Sequence, residues 1–338
     1  VMNTLINTVK KFYGEHKVLS LAVIVVLLLI LPFLGFKKST IRIMCRILMY
    51  CTLAGSLNMI NGYSGQTCIG QAGFFCIGAY TMAILSTRFG ISFWILLPLG
   101  GIMAMLVGLI VSIPTLRLKG IYLSIITMGA SEVIRIVALN WESLTGGSFG
   151  IKDIPRPSVG GFLVDSPMKF YYLFLIVAVI FLFISSRVIK SRAGRAWMSI
   201  REDELAAKAL SVQTSYYKAS NFMYGAFWAG ICGAAYAPYL QYIDSTVFSL
   251  DEGFNILSMV IIGGQGTLAG PIVGSTLVNF LTEILRPVGT WRFVTYALLI
   301  IIMMWLRPQG LVGASDSILA GGRIKMKSKS KKAAKESA

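Results

Sequence analysis

The sequence predicts an all-α integral membrane protein, a polytopic helix bundle of about ten transmembrane segments. Three observations predict it. Of 338 residues, 56% are hydrophobic and 13% charged, against roughly 25% charged in an average soluble domain. The mean hydropathy is +0.73. Most of the basic residues sit between apolar runs. A water-soluble globule of this length cannot bury so much apolar surface, so a soluble enzyme is excluded. Disorder is excluded too, because low hydrophobicity is its signature.

The elements follow in order. Residues 1–17 form a polar, basic segment with Lys10, Lys11 and Lys17. The apolar run 18–36 has a basic flank but no small-residue cleavage pattern, so it reads as a retained first span rather than a signal peptide. Further spans are expected at 41–60, 66–86, 93–114, 121–139, 168–189 and 221–242. Three shorter ones, 254–268, 270–285 and 293–306, fall below the roughly 20 residues of a straight crossing and read as broken or re-entrant. The transmembrane part therefore covers 18–312, and 313–338 is a basic tail suited to anionic lipid head groups.

The net charge of +17 reads as an orientation signal, not as a nucleic-acid footprint. With residues 1–17 inside, 20 of the 31 Lys and Arg face the cytoplasm. Two connections are long enough to have a task. The outer one, 140–167, carries Gly146, Gly147, Gly150, Pro155 and Pro157, and is a turn-rich loop with a short surface helix. The inner one, 190–218, is charged, and its stretch from Glu202 to Leu210 is rich in the strong helix formers Ala, Leu and Glu.

Glycine numbers 34, above the roughly 7% of average usage, and it clusters. Gly65, Gly70 and Gly73, with Gln66 and Gln71, punctuate one apolar stretch; Gly263, Gly264, Gly266 and Gly270, with Thr267, punctuate another. Gly and polar residues permit broken helices beside a cavity, and matching interruptions in two halves point to an inverted repeat around a translocation path. These ten residues are therefore the expected lining. Glu132 and Arg135 lie three apart within a span, on one helical face, and are expected to pair.

Several chemistries are absent from the sequence. No Gly-Lys dipeptide occurs, hence no phosphate-binding loop of the Gly-x-x-x-x-Gly-Lys type. His16 is the only histidine, which excludes a His-based metal site or proton relay. The cysteines Cys45, Cys51, Cys68, Cys76 and Cys232 lie in apolar stretches, with no spacing that suggests a metal site, and read as small hydrophobes. No catalytic, metal or cofactor site is expected in this chain.

Specific stretches carry a resemblance. Asn61-Gly62-Tyr63-Ser64-Gly65-Gln66 continues into Gly70-Gln71-Ala72-Gly73-Phe74-Phe75, followed by Leu116-Arg117-Leu118-Lys119-Gly120 and Asn140-Trp141-Glu142-Ser143-Leu144-Thr145-Gly146-Gly147. Later come Arg195-Ala196-Trp197 with Arg201-Glu202-Asp203-Glu204, then Gly263-Gly264-Gln265-Gly266-Thr267-Leu268-Ala269-Gly270-Pro271 and Leu306-Arg307-Pro308-Gln309-Gly310-Leu311. In this order they resemble the LivM-type permease of branched-chain amino-acid ABC importers. Gln71, Cys68, Cys76 and Ser211 depart from the usual pattern.

That resemblance implies two inverted-topology halves and a place in the inner membrane beside a second, homologous permease subunit. It implies two ATP-binding subunits, which would hold the ATP, and an extracytoplasmic amino-acid-binding protein. Arg201, Glu202, Asp203, Glu204, Leu205, Ala206 and Ala207 would form the coupling helix that docks on the ATPase. The expected activity is import of branched-chain amino acids by alternating access. A self-sufficient channel or facilitator for a small polar solute, such as urea or another amino acid, is the alternative.

Overall fold

In hydrocarbon a chain can satisfy its own N–H and C=O groups only by coiling, and the apolar runs coil accordingly. A computed structural model describes residues 37–285, apart from 117, 119, 160 and 161, together with 297, 298, 301, 305 and 310–312. The expected segments 1–17, 18–36 and 313–338, most of 293–306, and the motif residues Arg117 and Lys119 lie outside the described residues.

The helices are α1 (Lys38–Asn58, prolonged by a π-helical turn at Met59–Tyr63), α2 (Gln71–Phe89), α3 (Phe93–Thr115) and α4 (Ile121–Asn140). The short α5 (Glu142–Thr145) leads into β1 (Ile151–Lys152), β2 (Ser158–Val159) and β3 (Phe162–Leu163). Then come α6 (Pro167–Lys190), α7 (Arg192–Glu202), α8 (Glu204–Ala209), α9 (Thr214–Leu240), β4 (Tyr242–Ile243), α10 (Leu250–Gly263) and α11 (Gly270–Ile284). Helices α1, α2, α3, α4 and α6 are long and apolar enough to cross a membrane. With α9, α10 and α11, helices stand at eight of the ten expected span positions.

Three boundaries differ from expectation. α2 starts at Gln71 rather than 66, because residues 64–70 are unwound. α9 starts at Thr214, before the apolar run, since Tyr216, Tyr217 and Lys218 continue the same helix. α10 starts at Leu250 rather than 254. Its first turn holds Asp251 and Glu252, and negative charge is favoured at a helix N-terminus.

α9 is the central post, packed chiefly on α2 and α3. Its seam is made of small residues. A Cβ on Gly230 would lie 2.5 Å from the Ala104 Cβ and 2.6 Å from the Gly100 carbonyl oxygen, and one on Gly78 would meet the Gly230 carbonyl group. Only residues without a side chain let three backbones approach so closely. Phe74, Phe75, Phe222 and Phe248 fill the space beside the seam. By contrast, Ile121, Ile125, Val133 and Val137 of α4 and Ile176, Ile180 and Phe183 of α6 are exposed. An apolar surface this extensive is the kind that lipid covers.

The connection 140–167 is tied to the bundle at several points. β1 pairs antiparallel with β4, with Ile151 opposite Ile243, and β2 pairs with β3. Arg88 at the end of α2 donates to the carbonyls of Ser143 and Leu144. Ile154 and Ile243 are fully buried beneath this layer.

Candidate functional site

α1 runs as a regular helix until polar residues enter it. Asn58, Asn61, Gly62, Ser64 and Gly65 loosen its end into a π turn, a form that marks functional sites in many helices. Gly65 takes φ of +69°, open to glycine at little cost. The unwound backbone from 64 to 70 is nevertheless partnered. Asn61 Nδ2 donates to the Cys68 carbonyl (3.1 Å), and the Cys68 N–H donates to Asn61 Oδ1 (3.0 Å). The Ile69 N–H donates to Thr127 Oγ1 (3.1 Å), and Thr67 Oγ1 to the Gly120 carbonyl (2.7 Å). Irregular backbone at membrane depth survives only with such partners.

A second break follows α10. Gly264 and Gly266 have φ of +113° and +76°. Thr267 Oγ1 accepts from the Gly270 N–H (3.0 Å), starting α11, while Gly263 packs against Gly270 and Gly274. The carbonyls of Ile262 and Gly263, which a helix end leaves without partners, accept from the N–H groups of Leu311 and Val312 (both 2.9 Å).

The two breaks meet, and Asn58 joins them. Its Nδ2 donates to the Thr267 carbonyl (2.8 Å) and its Oδ1 accepts from the Gly266 N–H (2.9 Å). Nearby, Gln71 Nε2 donates to Ser56 Oγ (2.6 Å) and the Gly225 carbonyl (3.2 Å), and Asn221 Nδ2 donates to the Met59 carbonyl (2.9 Å). The oxygens Gln71 Oε1 and Asn221 Oδ1 are buried without a protein partner. Gly70 and Gly73 lie against Thr127 and Ser131 of α4. The glycine clusters expected to line a path thus form one polar junction inside the apolar bundle.

The sense of the two breaks corrects one expectation. Glu252, early in α10, lies close to Tyr50 of α1, while Asn58, further along α1, reaches Gly266 and Thr267 beyond the end of α10. α1 and α10 therefore run in the same direction. The two glycine clusters are not inverted copies of each other.

A second correction concerns the helix expected from Glu202 to Leu210. Asp203 divides it. Its backbone is extended (φ −157°, ψ 114°), and its Oδ1 accepts from the N–H groups of Leu205 (2.8 Å) and Ala206 (3.0 Å). An aspartate in this role starts a new helix and cannot continue the old one. Arg201 and Glu202 consequently close α7, while Glu204, Leu205, Ala206 and Ala207 belong to α8. Leu205 is exposed and Ala207 buried.

Both short helices grip the junction. Glu204 and Lys218 form an ion pair at 2.5 Å. The Lys218 carbonyl accepts from Gln66 Nε2 at 3.3 Å, and Gln66 also donates to Ser64 Oγ at 2.8 Å. Arg201 donates through Nη1 to the Gly62 carbonyl. The Glu132–Arg135 pair forms within α4, with Arg135 Nε 3.0 Å from both carboxylate oxygens. It sits on the α4 side of the junction, where Ile134 and Ser131 face Gly73. Sequence reasoning missed Asn58, Asn221, Glu252 and Lys218. An amide inside an apolar run was the available signal for the first two.

A lipid-facing bundle with partnered, unwound helix ends at its centre and a charged helix pair gripping them is a multi-pass membrane transport protein. No solved structure matches the chain. The family model for the permease component of the branched-chain amino acid transport system matches residues 39–304. The chain belongs to that family and is a multi-pass inner-membrane protein. It is 32% identical to the high-affinity branched-chain amino acid transport system permease protein LivM of Escherichia coli (strain K12), covering 87% of this chain and 74% of that protein. Identity to the probable LivM of Methanocaldococcus jannaschii is 22% over 78% of this chain and 90% of that protein. The LivH permease of Salmonella typhimurium is 23% identical over 79% of this chain and 90% of its own length.

Proposed function

We propose that the chain is the membrane permease subunit of an ATP-binding-cassette importer that brings branched-chain amino acids into the cell by alternating access. The observation that carries this reading is the family match over residues 39–304. No catalytic constellation is expected from the sequence of the chain. Its role is to hold and reshape a path, and energy comes from two ATP-binding subunits on the cytoplasmic side. A second permease subunit of the same family and an extracytoplasmic amino-acid-binding protein complete the assembly, and likeness to both LivM and LivH supports a paired permease. With 18–36 and 293–306 as further spans, the bundle has ten segments. Any inverted relation between its halves pairs α1 with a helix other than α10.

α8 is the coupling helix in this reading. It is short, capped by Asp203, exposed at Leu205 and tied to α9 through Glu204 and Lys218. A rigid-body push on it reaches the central post and, through the Lys218 carbonyl, the first break. The buried amides Asn58, Gln71 and Asn221 and the breaks at Gly65–Gln66 and Gly264–Thr267 flank the path. Contacts there need only be transient, because cargo must leave as well as enter.

The test is reconstitution in liposomes with the second permease, both ATP-binding subunits and the binding protein. ATP-dependent accumulation of leucine or valine is expected, with none from the purified chain alone. Passive flux of a small solute through the chain alone would overturn the reading in favour of a facilitator.

A further inference from the structure

We propose that Arg201 is a positioning residue that latches the two broken segments to α7, so that movement of the α7–α8 unit opens the junction. This deepens the importer reading and in part rests on it. The geometry begins with the carbonyl that Arg201 takes. Gly62 lies in the π turn that ends α1, and Arg201 Nη1 donates to its oxygen. Two further glycines make room for the side chain. A Cβ on Gly65 would stand 3.1 Å from Arg201 Cγ, and a Cβ on Gly266 would meet Arg201 Nη1. Both glycines have positive φ, so neither position accepts a side chain without strain. Gly62, Gly65 and Gly266 thus form a cradle, drawn from both breaks, that the arginine fills.

Electrostatics gives the cradle its preference for a cation. α1 and α10 run in the same direction, and their C-terminal ends converge here. The aligned peptide dipoles give each helix end a partial negative charge of roughly half a unit, reduced at α10 because the Ile262 and Gly263 carbonyls already accept from Leu311 and Val312. Left alone, the two ends repel; a guanidinium between them is attracted to both. Its fixed fork of donors suits several carbonyls at once, as a lysine ammonium on a flexible stem does less well. Arg201 is the penultimate residue of α7, and Asp203 gives the chain a hinge directly after Glu202. Helix α7 is in turn held to α9 by Trp197, whose Nε1 donates to the Tyr217 carbonyl at 2.9 Å. A tilt of α7–α8 by a few ångströms withdraws the guanidinium from the cradle. Among the described residues, the hydrogen bonds that then still join the breaks are those of Asn58, beside the direct contact of the Gly62 and Gly266 backbones.

The chain carries its own reporter. Cys68 sits in the first break, fully buried, with its backbone held by Asn61. In a chain with Cys45, Cys51, Cys76 and Cys232 replaced by alanine, Cys68 in membranes should react slowly with N-ethylmaleimide. Losing a hydrogen bond to a charged donor should raise local opening, and the alkylation rate, about tenfold in Arg201→Ala. Arg201→Lys, which keeps one donor in reach of Gly62, should restore most of the protection. A companion chain that keeps only Cys232, in the middle of α9, reports global loosening and should stay unreactive in both variants. An unchanged Cys68 rate in Arg201→Ala overturns the latch, and so does equal acceleration at Cys68 and Cys232. With the ATP-binding subunits present, ATP should raise Cys68 labelling when Arg201 is intact and add nothing in Arg201→Ala. The Cys68 contrast without any ATP response supports the latch and overturns the importer reading instead.

Discussion

Lys218 holds Glu204 at 2.5 Å with only 7% of its own side chain exposed, against 21% for the carboxylate. The two residues lie on different helices, and the carbonyl of the same lysine holds Gln66. Removing Glu204 strands the buried Lys218 ammonium, and losing one partner of a buried pair costs about 3 kcal/mol. Glu204→Ala should therefore lower the thermal unfolding midpoint in detergent by several degrees, and adding Lys218→Met should return most of the loss. Glu204→Lys should abolish ATP-coupled uptake while the protein remains in the membrane. Normal uptake by that variant would remove α8 from the coupling path.

Asn58 spends both ends of its amide on the second break. Asn58→Leu is close in size but leaves the Gly266 N–H and the Thr267 carbonyl without partners in a low-dielectric setting, at a cost of about 2 kcal/mol. Asn58→Asp keeps the acceptor and loses the donor. The stability order expected from thermal melts is wild type, then Asp, then Leu. A leucine variant as stable as the wild type would mean that water replaces the amide.

Asp203 acts on a smaller scale. Replacing a capping aspartate by alanine costs about 1 kcal/mol, and the loss should stay local to α8. Asp203→Ala should leave the global melting midpoint nearly unchanged. It should speed limited proteolysis between residues 203 and 213 and lower the ratio of uptake to ATP hydrolysis, with Asp203→Asn retaining both. Ala207→Asp, which puts a charge into the buried side of the same helix, should weaken transport more than the cap loss does.

The central seam predicts the largest stability effect. Gly78→Val drives a branched side chain into the Gly230 backbone. Overpacking of this kind costs about 1–3 kcal/mol, or more where backbone is the obstacle. The yield of monodisperse protein in size-exclusion chromatography should collapse. Gly129, with open space around its Cβ position, should accept valine with little change.

The long helices were legible because hydrocarbon imposes a simple length rule on them, and α1, α2, α3, α4 and α6 obey it. Position in the sequence also located the junction, since Gly65, Gln66, Gly266 and Thr267 stand out in apolar surroundings. What the sequence hid is relational. Nothing local to Asn58 tells that its partners lie about two hundred positions onward. The charges of Asp251 and Glu252 read as loop, yet they lie in the first turn of α10, where Glu252 is close to Tyr50. Helix propensity ran smoothly from Glu202 to Leu210, so the break at Asp203, which depends on a side chain capping its own backbone, was invisible to it. The common sense of α1 and α10 also depends on which helices touch.

The seam of Gly78, Gly100 and Gly230 bears on how such a machine can move at all. Interlocked backbones with no side chains between them have no slack to slide or rotate, so α2, α3 and α9 must swing as a single girder. Any opening and closing is then confined to what hangs from that girder: the unwound stretches on one side and the helix surfaces bathed in lipid on the other.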